Sequence, residues 1–156
     1  MANTLYTTGM THAVANGVDT LDIRFLLIDN ANPYTPNKDH ATIADVVAGV
    51  VTELSTTNYA RQAAASEAVT ADLTGDQVNL EFGDISWADL GPGTGGPTVQ
   101  GALAYIHIDG TDANDIPLEW IDEAPTGAGN KLPFVVNGAT FNLNEPTGGF
   151  IGIVQA

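Results

Sequence analysis

Few residues in this chain have side chains suited to chemistry. Its imidazoles are His12, His40 and His107, and it has no cysteine, which excludes thiol catalysis, disulfides and cysteine-ligated zinc. None of the histidines lies in an HExxH motif or beside a nucleophile elbow, so neither a metalloprotease helix nor a serine triad can be read from them. His107 shares a strand face with Leu103 and Tyr105, which predicts a packed β residue whose ring nitrogens bond locally. The run Asp109-Gly110-Thr111-Asp112-Ala113-Asn114-Asp115 offers closely spaced oxygen ligands of the kind Ca²⁺ takes, but lacks the spacing of an EF-hand loop and its closing glutamate. It reads as a hairpin turn in which Asp and Asn cap their own backbone, with calcium as the alternative.

The remaining candidates read as structural. The glycine-rich Gly91 to Pro97 (GPGTGGP) lacks the Lys-Ser/Thr ending of a phosphate-binding loop and the strand-turn-helix setting, and is read as a surface loop. Asp84/Asp89 and Asp122/Glu123 could be proposed as glycosidase pairs, but with 19 acidic residues chance proximity is expected. Trp87 and Trp120 are predicted core residues, an intersubunit or sugar-stacking role being the alternative. Arg24 and Arg61 sit inside β-segments, each expected to pair with a carboxylate. No catalytic residue, cofactor-binding residue or metal ligand is predicted.

These residues need a scaffold, and the hydrophobic pattern describes one. Met10, Ala13 and Val14 predict a short helix over 8–16, capped at Thr7 or Thr8 and stopped by Gly17. Thr20 to Ile28 alternates as a strand that becomes apolar on both faces, and Asp29 to His40, with two prolines, predicts a long exposed loop. Ile43, Val46, Val47, Val50, Val51 and Leu54 predict a second helix over 42–54, although the valines and Gly49 oppose it. Short strands follow at Tyr59 to Ala64, Glu67 to Leu73, Gln77 to Phe82 and Ile85 to Ala88, with turns at Gly75 and Gly83. Gln100 to Ile108 and Ile116 to Ile121 flank the acidic turn, and Leu132 to Val136, Ala139 to Leu143 and Phe150 to Val154 close the chain. Asn137-Gly138 signals a hairpin between the first two of these last three. The expected fold is mainly β, an antiparallel β-sandwich or barrel with one or two short helices, in one domain spanning 1–156.

Composition narrows the function. Four Lys and Arg against 19 Asp and Glu give a formal charge of −15, which opposes binding to nucleic acid or to an anionic bilayer. Charged residues are only 15% and hydrophobic ones 44%, so the acidity decorates a folded chain. No apolar run approaches the ~18 residues that suggest a membrane span, and MANTLYTTG lacks the basic start of a signal peptide. A soluble protein that is not Sec-exported is expected.

From Glu53 onward the order of features becomes more specific. Tyr59-Ala60-Arg61 is followed by Val69, Thr70 and Asp72, then by Glu81-Phe82-Gly83-Asp84-Ile85-Ser86-Trp87 and Ala102-Leu103-Ala104-Tyr105-Ile106. Ile116-Pro117-Leu118-Glu119-Trp120-Ile121-Asp122, Leu132-Pro133-Phe134, Asn137-Gly138-Ala139-Thr140-Phe141-Asn142-Leu143 and Gly149-Phe150-Ile151 complete the series. The N-terminal part adds Leu5-Tyr6, Leu26-Leu27-Ile28-Asp29 and a loop containing Tyr34. This succession resembles a family of small virion structural proteins of tailed bacteriophages, the head decoration, cement or minor structural proteins; Val46 to Val51 and the GPGTGGP loop depart from it. The resemblance implies a non-enzymatic β-rich module on the outer surface of the head, made in the host cytoplasm and bound to the major capsid protein lattice. It implies a homo-oligomer, a trimer suiting threefold lattice positions. A tail or baseplate component, and a carbohydrate- or receptor-binding virion module, are the alternatives. Asn30 to His40, the N-terminal segment and Gly91 to Pro97 are the expected contact segments.

Overall fold

A computed structural model describes residues 4–17, 20–74, 77–91, 95–123, 132–146 and 150–154. Gly75 and the centre of the GPGTGGP loop lie outside them. In chain order the elements are β1 (Thr4–Leu5), α1 (Thr7–Asn16), β2 (Ile23–Asp29), α2 (Ile43–Val46), β3 (Gln62–Ala63), β4 (Ala68–Asp72) and β5 (Gln77–Glu81). Then come β6 (Ile85–Trp87), β7 (Thr98–Ile106), β8 (Ile116–Ile121), β9 (Phe134–Val135), β10 (Phe141–Leu143) and β11 (Ile151–Val154). The fold is mainly β and antiparallel, sandwich-like, and the main sheet does not close into a barrel. That sheet runs β1-β8-β7-β2-β3, with β9 pairing the start of β7; β10-β6 and β11-β5-β4 form two smaller sheets.

The alternation of β2 and β7 sets the layers, because successive side chains of a strand face opposite ways. Ile23, Phe25 and Leu27 join Ala102, Ala104 and Ile106 in a core shared with Phe82, Trp87, Phe141 and Phe150. Leu26, Ile28, Leu103 and Tyr105 face a second core completed by Tyr6, Tyr34, Ile43, Val46 and Trp120. Strand β2 is thus buried on both sides, as its sequence predicts.

Several expectations are corrected. The helix α1 starts at Thr7, and its N-cap is Tyr6 with no side-chain cap, so neither Thr7 nor Thr8 caps it. It buries Gly9 and Ala13, while Val14 is exposed; Gly9 lies so close to Pro117 and Leu118 of β8 that a Cβ there would collide with their backbone. Gly17 ends the helix at φ 79°, as expected. The predicted helix over 42–54 shrinks to the single turn α2, closed by a capping box between Thr42 and Asp45. Beyond it Gly49 turns the chain at φ 68°, and the next residues pair alongside β2: Asp29 N donates to Thr52 O and Leu54 N to Leu27 O. An available strand edge outweighs a helical period carried by β-branched valines.

The Asp29–His40 loop is pinned to the sheet, with Tyr34 buried at its centre. Gln100 clamps the Tyr34 backbone from both sides, accepting from its N–H at 2.6 Å and donating to its carbonyl at 2.8 Å. Asn137-Gly138 does not close a hairpin: β9 pairs β7 and β10 pairs β6, so this turn carries the chain between sheets. Gly138 N and Leu90 O lock it at 2.9 Å. Trp120 is fully buried as expected, although simple alternation along β8 would put it on one face with Leu118. A register shift opposite Ala104/Tyr105 sends Leu118 to the first core and Trp120 to the second.

The sheet β11-β5-β4 joins the first core at one end only. Leu80 and Ile151 are buried there, whereas Val78, Val69 and Leu73 are exposed. At its root Glu145 accepts from Phe82 N at 2.6 Å and from Gly83 N at 3.1 Å, and Asp84 accepts from Glu145 N.

Candidate functional site

The site is assembled where the second face of the main sheet runs out. Strand β2 opens on that face with Arg24, which pairs directly with Tyr105 on β7, and His107 follows one step beyond. The segment before β3 brings in Arg61, and the turn between β7 and β8 contributes Gly110, Thr111, Asp112 and Asp115. Together these residues line an open concavity of about 590 Å³. Arg24, Arg61, His107 and the acidic turn, which the sequence offers as separate structural features, therefore form one place. Both arginines of a chain with 19 acids stand in it.

Each charge is matched nearby. Arg24 donates through Nε and Nη2 to the two oxygens of Asp22, at 3.1 and 2.8 Å; this hydrogen-bonded partner holds the Asp22 carboxyl below its usual range. Arg61 donates to both oxygens of Glu53, its shortest contact being Nη2 at 2.6 Å, and through Nη1 to Asp112 at 2.7 Å. Burial by itself would lower the Arg61 pKa, but these carboxylates outweigh it and push it up. Tyr59 also donates to Glu53, at 2.6 Å, and accepts from Leu27 N, and burial raises its phenol pKa. The Arg61 guanidinium lies over the Tyr105 ring, 5.4 Å from its centroid. The network thus ties 53–61, β2 and the acidic turn together.

Asp115 is the buried hinge of that turn, with no exposed surface. One of its oxygens accepts from Ile108 N at 2.8 Å and the other lies 3.2 Å from His107 Nδ1, so the imidazole is bonded locally as its strand position predicts. Asp109 accepts from Thr111 N and Asn114 Nδ2, and the carbonyls of Asp112 and Asp115 accept from Ala44 and Ile43 at the start of α2. The carboxylates of Asp109 and Asp115 are thus engaged by the turn and its flanking residues, and that of Asp112 by Arg61. Among the described residues no three His, Asp or Glu are grouped so as to hold a metal ion.

The other candidates lie elsewhere. His12 is on α1, and His40 contacts the Tyr34 hydroxyl, which also bonds Tyr6. Asp84 serves as an acceptor for Glu145 N, while Asp89 sits in a turn at φ 47°. Trp87 is buried and donates to Ala60 O. Asp122 directly follows β8, and one of its oxygens is buried with no hydrogen-bond partner among the described residues. The two loops expected to make contacts do meet: Asp29, Asn30 and Ala31 line a smaller concavity of about 260 Å³ with Gly96, Pro97 and Thr98.

No family model, curated protein or solved structure matches this chain. Among the described residues no helix is long and apolar enough to cross a membrane.

Proposed function

We propose that this chain is a non-enzymatic structural protein of a tailed-phage virion, a capsid decoration or cement subunit that binds and stabilises the assembled head. The observation that carries this reading is the state of the concavity at the acidic turn: it is open, and its arginines and histidine are bound to carboxylates of the same chain. A general base or an anion clamp works through groups that face a substrate. Here those groups hold the turn and β2 in place, which suits a module that presents a rigid surface.

The rest of the molecule is consistent with adhesion. A two-sided main sheet holds two loops side by side at one end, and irregular segments on a rigid sheet are where recognition usually sits. The charge of −15 favours solubility before docking and keeps the surface away from packaged nucleic acid. A sugar-binding role resting on stacked tryptophans is not favoured, since Trp87 and Trp120 are both buried. The test is mass spectrometry of purified particles with subunit counting. Hundreds of copies per particle support a decoration subunit, a handful support a tail or baseplate component, and absence from the particle refutes both.

A further inference from the structure

A sheet edge is a row of unpaired backbone donors and acceptors, and natural proteins blunt such edges with short strands, proline, lysine or bulges. The main sheet here ends at β1 and β3, of two residues each. The β11-β5-β4 sheet ends differently. Strand β4 runs Ala68–Asp72 in unbroken register with β5, from Ala68 opposite Glu81 to Asp72 opposite Gln77. Residues 67–73 contain no proline, lysine or arginine. The same hairpin exposes large apolar side chains: Val69 is 48% exposed, Val78 41% and Leu73 88%.

We propose that β4 pairs antiparallel with β4 of a second copy of this chain, about a two-fold axis at Thr70. Self-pairing is isologous, so every rung is set by symmetry. Centred on Thr70, the register uses all five residues of the strand: Thr70 meets its own mate, Val69 meets Ala71, and Ala68 meets Asp72. In this register Glu67, just outside the strand, faces Leu73 and Asp72 faces Ala68, so no two acids stand opposite one another, and one isologous pairing satisfies the open edges of both copies at once. Directly opposed residues share a face, so the row Ile151, Leu80, Val69 of one copy continues into Ala71 and Val78 of the other. The product is a six-stranded sheet, β11-β5-β4-β4-β5-β11. Because each copy carries −15, association strengthens as salt screens the repulsion.

The absence of cysteine makes the test direct. In Thr70→Cys the only thiol stands on the axis, where mild oxidation yields a covalent dimer at least ten-fold faster than in Val14→Cys, whose site on α1 is exposed and remote. Sedimentation velocity of the unaltered chain shows a monomer–dimer equilibrium that shifts toward dimer as salt rises. Thr70 Oγ1 also donates to Glu81 Oε1 at 2.6 Å, so a second variant keeps the test open if Thr70→Cys fails to fold. Val69→Glu sets two carboxylates diagonally across the axis and abolishes the dimer. Equal cross-linking at positions 70 and 14, a chain that stays monomeric at high salt, a trimer as the smallest assembly, or a Val69→Glu dimer as strong as the parent's overturns the proposal. It does not depend on the virion assignment: absence from particles leaves it standing, and a failed cross-link leaves that assignment untouched.

Discussion

Strands β7 and β4 are built from similar residues, TVQGALAYI and AVTAD, yet they live in opposite environments. Strand β7 is central: from Gly101 to Ile106 every residue is buried, with β2 on one side and β8 and β9 on the other. Strand β4 has β5 on one side and nothing described on the other, and its Val69 is half exposed. The difference shows that residue type makes a strand but does not assign it a task. Burial on two faces commits β7 to stability, while among the described residues no strand covers the outer side of β4.

That contrast can be broken at four points. The largest effect is expected from Phe25→Ala in β2, which removes a ring packed against Phe82 and Phe150 at centroid distances of 6.0 and 5.8 Å. Loss of a buried phenyl ring costs about 3–5 kcal/mol, and denaturant unfolding should show it as a cooperative loss. Next comes Glu53→Ala, which leaves Arg61 and the Tyr59 hydroxyl without their shared acceptor. About 1–3 kcal/mol should be lost, and hydrogen exchange should quicken in the acidic turn and along 52–54. An Asp112→Ala change that disturbs the turn equally would show that the Glu53 arm is not the main tie.

The third test is of sign. Asp22 is held below its ordinary 3.8 by the hydrogen bond from Arg24, so its contribution to folding is present above that pH and is lost as pH falls through the folded value. Glu145 is shifted the other way: burial, and the charges of Glu81 and Asp84, raise it from 4.5 against the hydrogen bonds from Phe82 and Gly83. Its contribution is therefore present below about 4.5 and is lost as pH rises through the folded value. Protection factors corrected for the intrinsic pH dependence of amide exchange, followed from pH 7 to 3, should rise in the strands around Glu145 as acid is added, while those near Arg24 fall only below the ordinary aspartate range. Identical pH trends in the two regions would remove the distinction. The smallest effect belongs to Leu73→Ser: the side chain is 88% exposed, so unfolding should change by no more than about 0.5 kcal/mol.

Much of the fold was legible without coordinates. The two-faced apolar run of β2, the bounds of β8, the glycine stop after α1, the carboxylate partners expected for Arg24 and Arg61, and the buried tryptophans all follow from period and composition. The errors share a cause. The valines of 42–54 and the Asn137-Gly138 pair carry sound local signals, but each segment found a better partner in a distant strand than in its own neighbours. Tyr34 is the same case in reverse, since nothing local predicts that a proline-flanked loop will be clamped by Gln100.

The candidate site was half legible. Alternation puts Arg24 on one face of its strand and His107 on the face of Tyr105 in another, and antiparallel pairing of the two strands brings Arg24 opposite Tyr105. Arg61 and Asp112 are 51 residues apart, and no local pattern links them.

The residue order by itself determined a mainly β, strongly acidic chain without thiol chemistry, because side-chain period, turn chemistry and charge count are properties of neighbouring residues. Only the tertiary structure decided that both arginines meet at the acidic turn, that Tyr34 closes the second core, and that among the described residues β4 pairs on one side alone. Those outcomes depend on which distant backbone edges pair and in what register, and a shift of one residue would turn every side chain to the other face.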